Sequence, residues 1–164
     1  MQPTPDLDAR FVERRTRQTS ARPEEAWAAV RRTAGRGSGL TAYAWAARDL
    51  ADRLVGGEGE AWRVVSETAP SESDPTGRIA LEAIARLPGR ATLELTVEPV
   101  DPTRPGRGSV LTQVNTFAPD GLLGRAYWHA LGPAHRFVFA RMLSDTSRAA
   151  GQAAGQGAGD RQRR

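Results

Sequence analysis

Cysteine is absent from the 164 residues, and all 23 basic residues are arginine, so lysine is absent too. Without a thiol the chain forms no disulfide, holds no metal through thiolate and has no cysteine nucleophile. Arginine keeps its proton at any ordinary pH. The pI of about 10.8 therefore overstates how positive the surface is at neutrality, where the formal net charge is +4. Long apolar runs are missing as well. No stretch approaches the ~20 uninterrupted apolar residues of a spanning helix. The opening MQPTPDLDAR is polar and acidic, unlike a secretory signal. These absences predict a soluble, cytoplasmic protein with no membrane span.

The excess positive charge sits at the ends. Residues 1–22 carry five Arg and three acids, and residues 144–164 carry four Arg and two acids. The middle, 23–143, has fourteen of each and is neutral. A nucleic-acid domain concentrates its charge on the folded part, so this distribution argues against a nucleic-acid partner.

What is present fits one domain with a real core. Residues 1–10 are expected to be a disordered lead, 11–148 the domain, and 149–164, rich in Gly, Ala and Gln with a basic end, a disordered tail. Phe11 to Ser20 suits a first strand. In ARPEEAWAAVRR, Pro23 fits the first helical position and Glu24 and Glu25 the positive end of the dipole. Ala26, Trp27, Val30 and Ala34 then share one face. Gly35–Gly39 breaks this helix, and a second is predicted from Thr41 to Val55. Residues 61–68 and 109–117 have strand composition. Residues 90–98 alternate, with Leu93, Leu95 and Val97 opposite Thr92, Glu94, Thr96 and Glu98. Residues 78–87 have helical preferences, but their place between turns suits a strand.

The stretch GLLGRAYWHALGPAHRFVFARML, Gly121 to Leu143, reads as a long amphipathic helix. Tyr127, Trp128, Leu131, Ala134, His135, Val138, Phe139 and Met142 fall on its apolar face, with Arg125, His129 and Arg136 opposite. Pro133 is expected to kink or restart it. Such a helix can cover the apolar face of an antiparallel sheet. The fold class expected is α+β, a curved antiparallel sheet wrapped around a long C-terminal helix.

The chemistry-bearing motifs are weak. His129 and His135 lie about 240° apart on a helix and cannot share a metal without distortion. Ser38 lacks the glycine that a nucleophile elbow needs two residues before it, and GRGSG has neither the strand nor the lysine of a phosphate loop. Glu94 and Glu98 belong to a polar strand face. No metal or cofactor is implied. His135 alone, within an apolar face, is either a buried core imidazole or a polar anchor in a cavity.

ARPEEAWAAVRR resembles the first-helix region of SRPBCC (START-like) domains, in which a curved sheet grips a C-terminal helix. DRLVGG (52–57), WRVV (62–65), LPGRATLEL (87–95) and PDGLLGRAYWHALGPAHRFVFARML (119–143) are similar to a domain-of-unknown-function family in that superfamily. Its members often stand fused to or beside NAD(P)-binding short-chain-dehydrogenase-like domains. Two departures stand out: the segment between Gly57 and Trp62 is short, and Ile84-Ala85 replaces an acidic–Met pair. The resemblance carries no catalytic residue over. It implies a helix-grip domain that binds a small, largely apolar molecule between sheet and helix; a ligand-free protein with no cavity of roughly 300 Å³ or more would count against that reading. The candidate lining is Leu81, Leu95, Phe117, Tyr127, Leu131 and His135, with Tyr43, Trp45 and Trp62 nearer the entrance. Two alternatives accompany this reading. One is a cyclase, dehydratase or isomerase that uses His135 with an acid such as Glu82. The other is an accessory domain for a dehydrogenase-like protein partner. Nothing in the chain indicates a reaction, so binding ranks ahead of catalysis.

Overall fold

The computed structural model of the protein describes residues 10–34, 62–84 and 87–161. They form five antiparallel strands: β1 (Phe11–Thr19), β2 (Trp62–Thr68), β3 (Gly77–Ala83), β4 (Gly89–Pro99) and β5 (Ser109–Pro119). The helices are α1 (Pro23–Thr33) and α2 (Gly121–Arg161). The sheet order is β1-β5-β4-β3-β2, so β2 to β5 form a meander and the first strand pairs with the last. The curved sheet holds the long C-terminal helix on its inner face, the α+β helix-grip arrangement expected from the sequence. The helix predicted at 41–55 lies outside the described residues.

Residues 78–83 take the strand that context suggests and propensity does not. β3 is laddered on both sides, with Ile79 opposite Leu95 and Leu81 opposite both Leu93 and Val64. Burial of Ile79 and Leu81 in that ladder outweighs the helix preference of Ala, Leu and Glu, which is worth only tenths of a kcal/mol per residue. A register shift between Val64 and Ser66 bulges β2 and brings Glu67 opposite Ile79. From there Glu67 reaches Arg31 of α1 at 2.8 Å.

α1 starts at Pro23, whose missing N–H costs nothing at a first turn. The Arg22 backbone N–H and guanidinium both donate to Glu25 (3.0 and 2.8 Å), which ties the entry of the chain to the third helical residue. Charge and hydrogen bonding from Glu25 hold the Arg22 pKa above its ordinary value. Ala26, Trp27, Ala29 and Val30 are buried. Trp27 lies against Gly77, where a Cβ would stand 2.6 Å from its ring. The buried Thr33 hydroxyl bonds the Ala29 carbonyl (3.0 Å) and the Thr146 hydroxyl (2.8 Å), pinning α1 to α2.

α2 departs from expectation at two places. It runs through Pro133 as one helix. The proline leaves the His129 carbonyl without its usual donor, but both residues are solvent-exposed, where water can satisfy it. It also continues through Ala149 to Arg161, a segment whose composition suggested no structure. The cause is anchoring. Ser147 donates to the Gln18 carbonyl (3.2 Å), Thr19 donates to the Ser147 carbonyl (3.4 Å), and Ala150 is fully buried. Once a turn is docked, each further residue adds a backbone hydrogen bond without a new nucleation cost, and Ala and Gln propagate well. No helix among the described residues is long and apolar enough to cross a membrane.

Candidate functional site

The strand pairings place inward-facing side chains in rows across the sheet. One row runs Phe11, Phe117, Ala91. The next runs Glu13, Asn115, Leu93, Leu81, Val64, and the one after it Arg15, Gln113, Leu95, Ile79. Along β3 and β4, Leu81, Leu93, Leu95 and Val97 give way to Ala83 and Ala91. The large residues pack with Trp27, Val30, Met142 and Leu143 into a continuous core. The alanines cannot reach the helix. A cavity of about 260 Å³, smaller than the roughly 300 Å³ set by the sequence reading, opens there between Ala83, Ala91 and Phe117 on the sheet and Tyr127 to Phe139 on α2.

Aromatic stacking frames one side of it. Trp128 stacks on Phe11 and on Phe117, with centroids 5.1 and 5.5 Å away and planes within 11° and 9°. Tyr127 and Trp128 each lie 5.8 Å from His135, which also contacts Phe139 at 6.2 Å. Leu131 is 41% exposed and Trp62 partly so, which puts them at the open rim. The position of the cavity is thus set by small residues on two strands, and its walls by the apolar stripe of one helix turn after another.

Two motifs that carried the family resemblance meet at this end of the sheet. The Asp120 N–H donates to the Pro88 carbonyl (2.9 Å), and Gly124 packs against the Pro88 carbonyl and Pro119. Gly89 takes a φ of +152°, and a Cβ there would strike the Ala118 carbonyl and the Phe117 ring. The LPG turn and the GLLGR start of α2 are therefore the two halves of one contact, and it seats the helix above the cavity.

The structure distributes the sequence-predicted residues unevenly. Trp62, Phe117, Tyr127, Leu131 and His135 line the cavity together. Leu81 and Leu95 do not. They face inward, but in rows where Leu93, Met142 and Trp27 leave no space, so they belong to the core. Tyr43 and Trp45 lie outside the described residues. His129 sits apart from His135, its ring edge-on to Phe11 at 5.5 Å. Glu82 is on the outer face of β3, paired with Arg63 at 2.9 Å. The acid proposed to work with His135 is therefore not in its cavity, and none of the described lining residues is a carboxylate. Glu94 likewise faces outward, 3.6 Å from Arg78.

Sequence reasoning missed Gln113 and Asn115. They stand on the buried face of β5, between Leu111 and Phe117, and are 0% and 4% exposed. Gln113 Nε2 donates to Asn115 Oδ1 (3.3 Å), and among the described residues neither Asn115 Nδ2 nor Gln113 Oε1 has a partner. Asn115 lines the cavity. The signal was available, since the two amides stand at alternate positions between Leu111 and Phe117, in phase with them. Beside them on β1, Glu13 accepts from Arg15 (3.0 Å) and from Arg136 of α2 (3.1 Å), closing the sheet edge against the helix.

A family profile described as protein of unknown function (DUF2867) matches residues 7–142. The chain belongs to this family. No protein of curated function matches it. Among solved structures, the di-domain ARO/CYC BexL from the BE-7585A biosynthetic pathway is 11% identical to this DUF2867 chain. Its alignment covers 92% of this chain and 51% of BexL, with a TM-score of 0.45. Ara h 8.0201 is 11% identical over 84% of this chain and 98% of its own, at 0.39. The Zhui aromatase/cyclase from Streptomyces sp. R1128 is 14% identical over 94% and 96%, at 0.37. These figures describe distant likeness and assign this domain neither a ligand nor a reaction.

Proposed function

We propose that this DUF2867 domain binds a small, largely apolar molecule in the cavity between the sheet and α2. The observation that carries the reading is the cavity itself: about 260 Å³, walled by Phe117, Tyr127, Trp128, Leu131, Val138 and Phe139. Its size points to a compound of one or two rings. A dry apolar cavity of about 150 Å³ takes benzene, and pockets for larger drug-like ligands span roughly 300–1,000 Å³. Catalysis ranks below binding because the described lining is mostly apolar and Glu82, the acid the catalytic reading named, faces Arg63 on the outer side of β3. Native mass spectrometry of gently purified protein tests the proposal. A co-purifying small molecule is expected. Protein stripped of it should take up tetralin (1,2,3,4-tetrahydronaphthalene) saturably, with a rise in Tm that grows with concentration. No retained molecule, together with no Tm response up to the solubility limit of tetralin, would overturn it.

A second reading, docking to a dehydrogenase-like partner, is favoured by Leu122 and Leu123, which are 83% and 73% exposed on the first turn of α2. Co-purification with such a partner, lost in a Leu122→Ser, Leu123→Ser variant, is its test.

A further inference from the structure

The polar end of the cavity specifies more than apolarity. Asn115 is buried on the central strand β5, it lines the cavity, and its Oδ1 is occupied by Gln113 Nε2. Its Nδ2, with two N–H groups, has no partner among the described residues, and neither has Gln113 Oε1. A buried amide donor left unsatisfied is costly, and most buried donors in native interiors are paired. Gln113 turns its donor toward Asn115, not its acceptor. The cross-strand neighbours are Glu13, engaged by Arg15 and Arg136, and Leu93, which has no acceptor. Thr92, Thr116, Tyr127 and His135 also stand in the described lining and the rest is hydrocarbon and aromatic ring, so Asn115 is one of a few directional contacts within a mostly apolar shell.

We infer that Asn115 is a specificity-determining residue, and that the ligand class is a one- or two-ring apolar molecule carrying a ketone-type carbonyl oxygen, which accepts from Asn115 Nδ2. This rests on the binding proposed above and narrows it. A hydrocarbon of the same shape would fill the cavity and leave the amide unsatisfied. A carbonyl compound would fill it and satisfy the amide. With Gln113 Nε2 donating to Asn115 Oδ1, the amide atom that Asn115 has left for a ligand is the donor Nδ2.

The test uses two probes of nearly equal shape, 1-tetralone and tetralin, on the full chain and on Asn115→Leu. Leucine keeps the branching of asparagine but is larger and removes the acceptor of Gln113 Nε2, so unfolding measurements first establish that Asn115→Leu is folded under the binding conditions. The readout is the ratio of the two affinities in each protein, because the different hydration of the probes cancels between proteins. The expected result is a ratio that favours tetralone about tenfold more in the native chain than in Asn115→Leu. An equal ratio in both proteins, or one that favours tetralone more in the variant, overturns the inference while leaving apolar binding intact. Failure of both probes to bind the native chain instead overturns the cavity reading, and this inference with it. The infrared carbonyl band of bound tetralone gives a check that needs no variant. Hydrogen bonding should move it below its position in hexane, and an unshifted band also overturns the donor assignment.

Discussion

Helix α2 covers the same sheet along two stretches, and the residues beneath them differ in size. From Phe139 to Ala150 it meets Ile79, Leu81, Leu93, Leu95, Val97 and Leu111, and the interior is closed. From Tyr127 to Val138 it meets Ala83, Ala91, Asn115 and Phe117, and the interior is open by about 260 Å³. The helix presents large apolar side chains in both stretches, so it does not account for the difference. Two alanines at the inward positions that follow leucines on β3 and β4 do. A void persists because the surrounding aromatic side chains are braced against one another, Trp128 on Phe11 and Phe117, and Tyr127 against Phe117 and His135. Packing of this kind relaxes only partly into an adjacent space.

The sharpest way to break the comparison is to copy the open end into the closed one. Leu93 is fully buried one inward position from Ala91. Leu93→Ala should cost about 3 kcal/mol, from lost burial plus the cavity left behind, measured by urea or guanidinium unfolding. A loss below about 1 kcal/mol would mean the core end is as loosely packed as the cavity end.

Lifting the helix comes next. A Cβ on Gly124 would collide with the Pro88 carbonyl and stand 2.7 Å from Pro119 Cβ, against backbone and ring atoms with little freedom to move. Gly124→Ala should destabilise the protein by about 1–3 kcal/mol. It should also weaken tetralin binding, because the same contact seats Tyr127 to Leu131 over the cavity. Normal binding in a destabilised Gly124→Ala protein would separate the turn contact from the site.

The reverse experiment fills the open end. Ala91→Leu should reduce tetralin binding at least about tenfold while changing stability by less than about 1.5 kcal/mol, since added methylenes enter existing space. Isothermal titration and unfolding measured on one preparation check both halves. Large destabilisation with intact binding would place the void elsewhere.

The smallest effect lies far from either end, in the turn before β5. The Thr103 hydroxyl (2.6 Å) and backbone N–H (2.9 Å) donate to the Asp101 carboxylate and hold its pKa below the ordinary carboxylate value. A folded-state pKa that is depressed contributes stability above the unfolded value and loses it as pH falls through the depressed one. The contact lies at a surface turn, where solvent screens the charge. Its loss on acidification should therefore leave the relative stability of the core and cavity ends unchanged. An NMR titration of the Asp101 carboxyl carbon should show the lowered midpoint, returning toward the ordinary value in Thr103→Ala.

Much of this arrangement was legible in the chain, for reasons that can be named. The strict alternation of 90–98 and the 3.6-residue stripe from Tyr127 to Met142 each record which face is buried, so β4, α2 and the wall formed by Tyr127, Leu131 and His135 follow directly. The same rules could not separate Leu81 and Leu95 from Phe117. All three face inward, and alternation says which face a residue is on but not how far along the helix it sits. The Glu82 assignment failed for a related reason: with 78–87 undecided between helix and strand, its phase was undecided, and the strand turned it to Arg63. Gln113 and Asn115 were overlooked because polar residues in a β-rich run are ordinarily assigned to solvent, although their spacing from Leu111 and Phe117 is two and four residues.

By itself, the sequence determined the order of elements, their inward faces and the family signature, because those depend on local periodicity and on glycines at Gly89 and Gly124 that few other residues can replace. It also determined that no thiol chemistry occurs here. Only the tertiary structure decided that residues 78–83 join a ladder, that α2 continues beyond Ala149, and that the interior divides into a filled core and a cavity with Asn115 in its wall. Those outcomes depend on which rows of different strands face one another across α2, and pairing between distant segments is information that no local pattern carries.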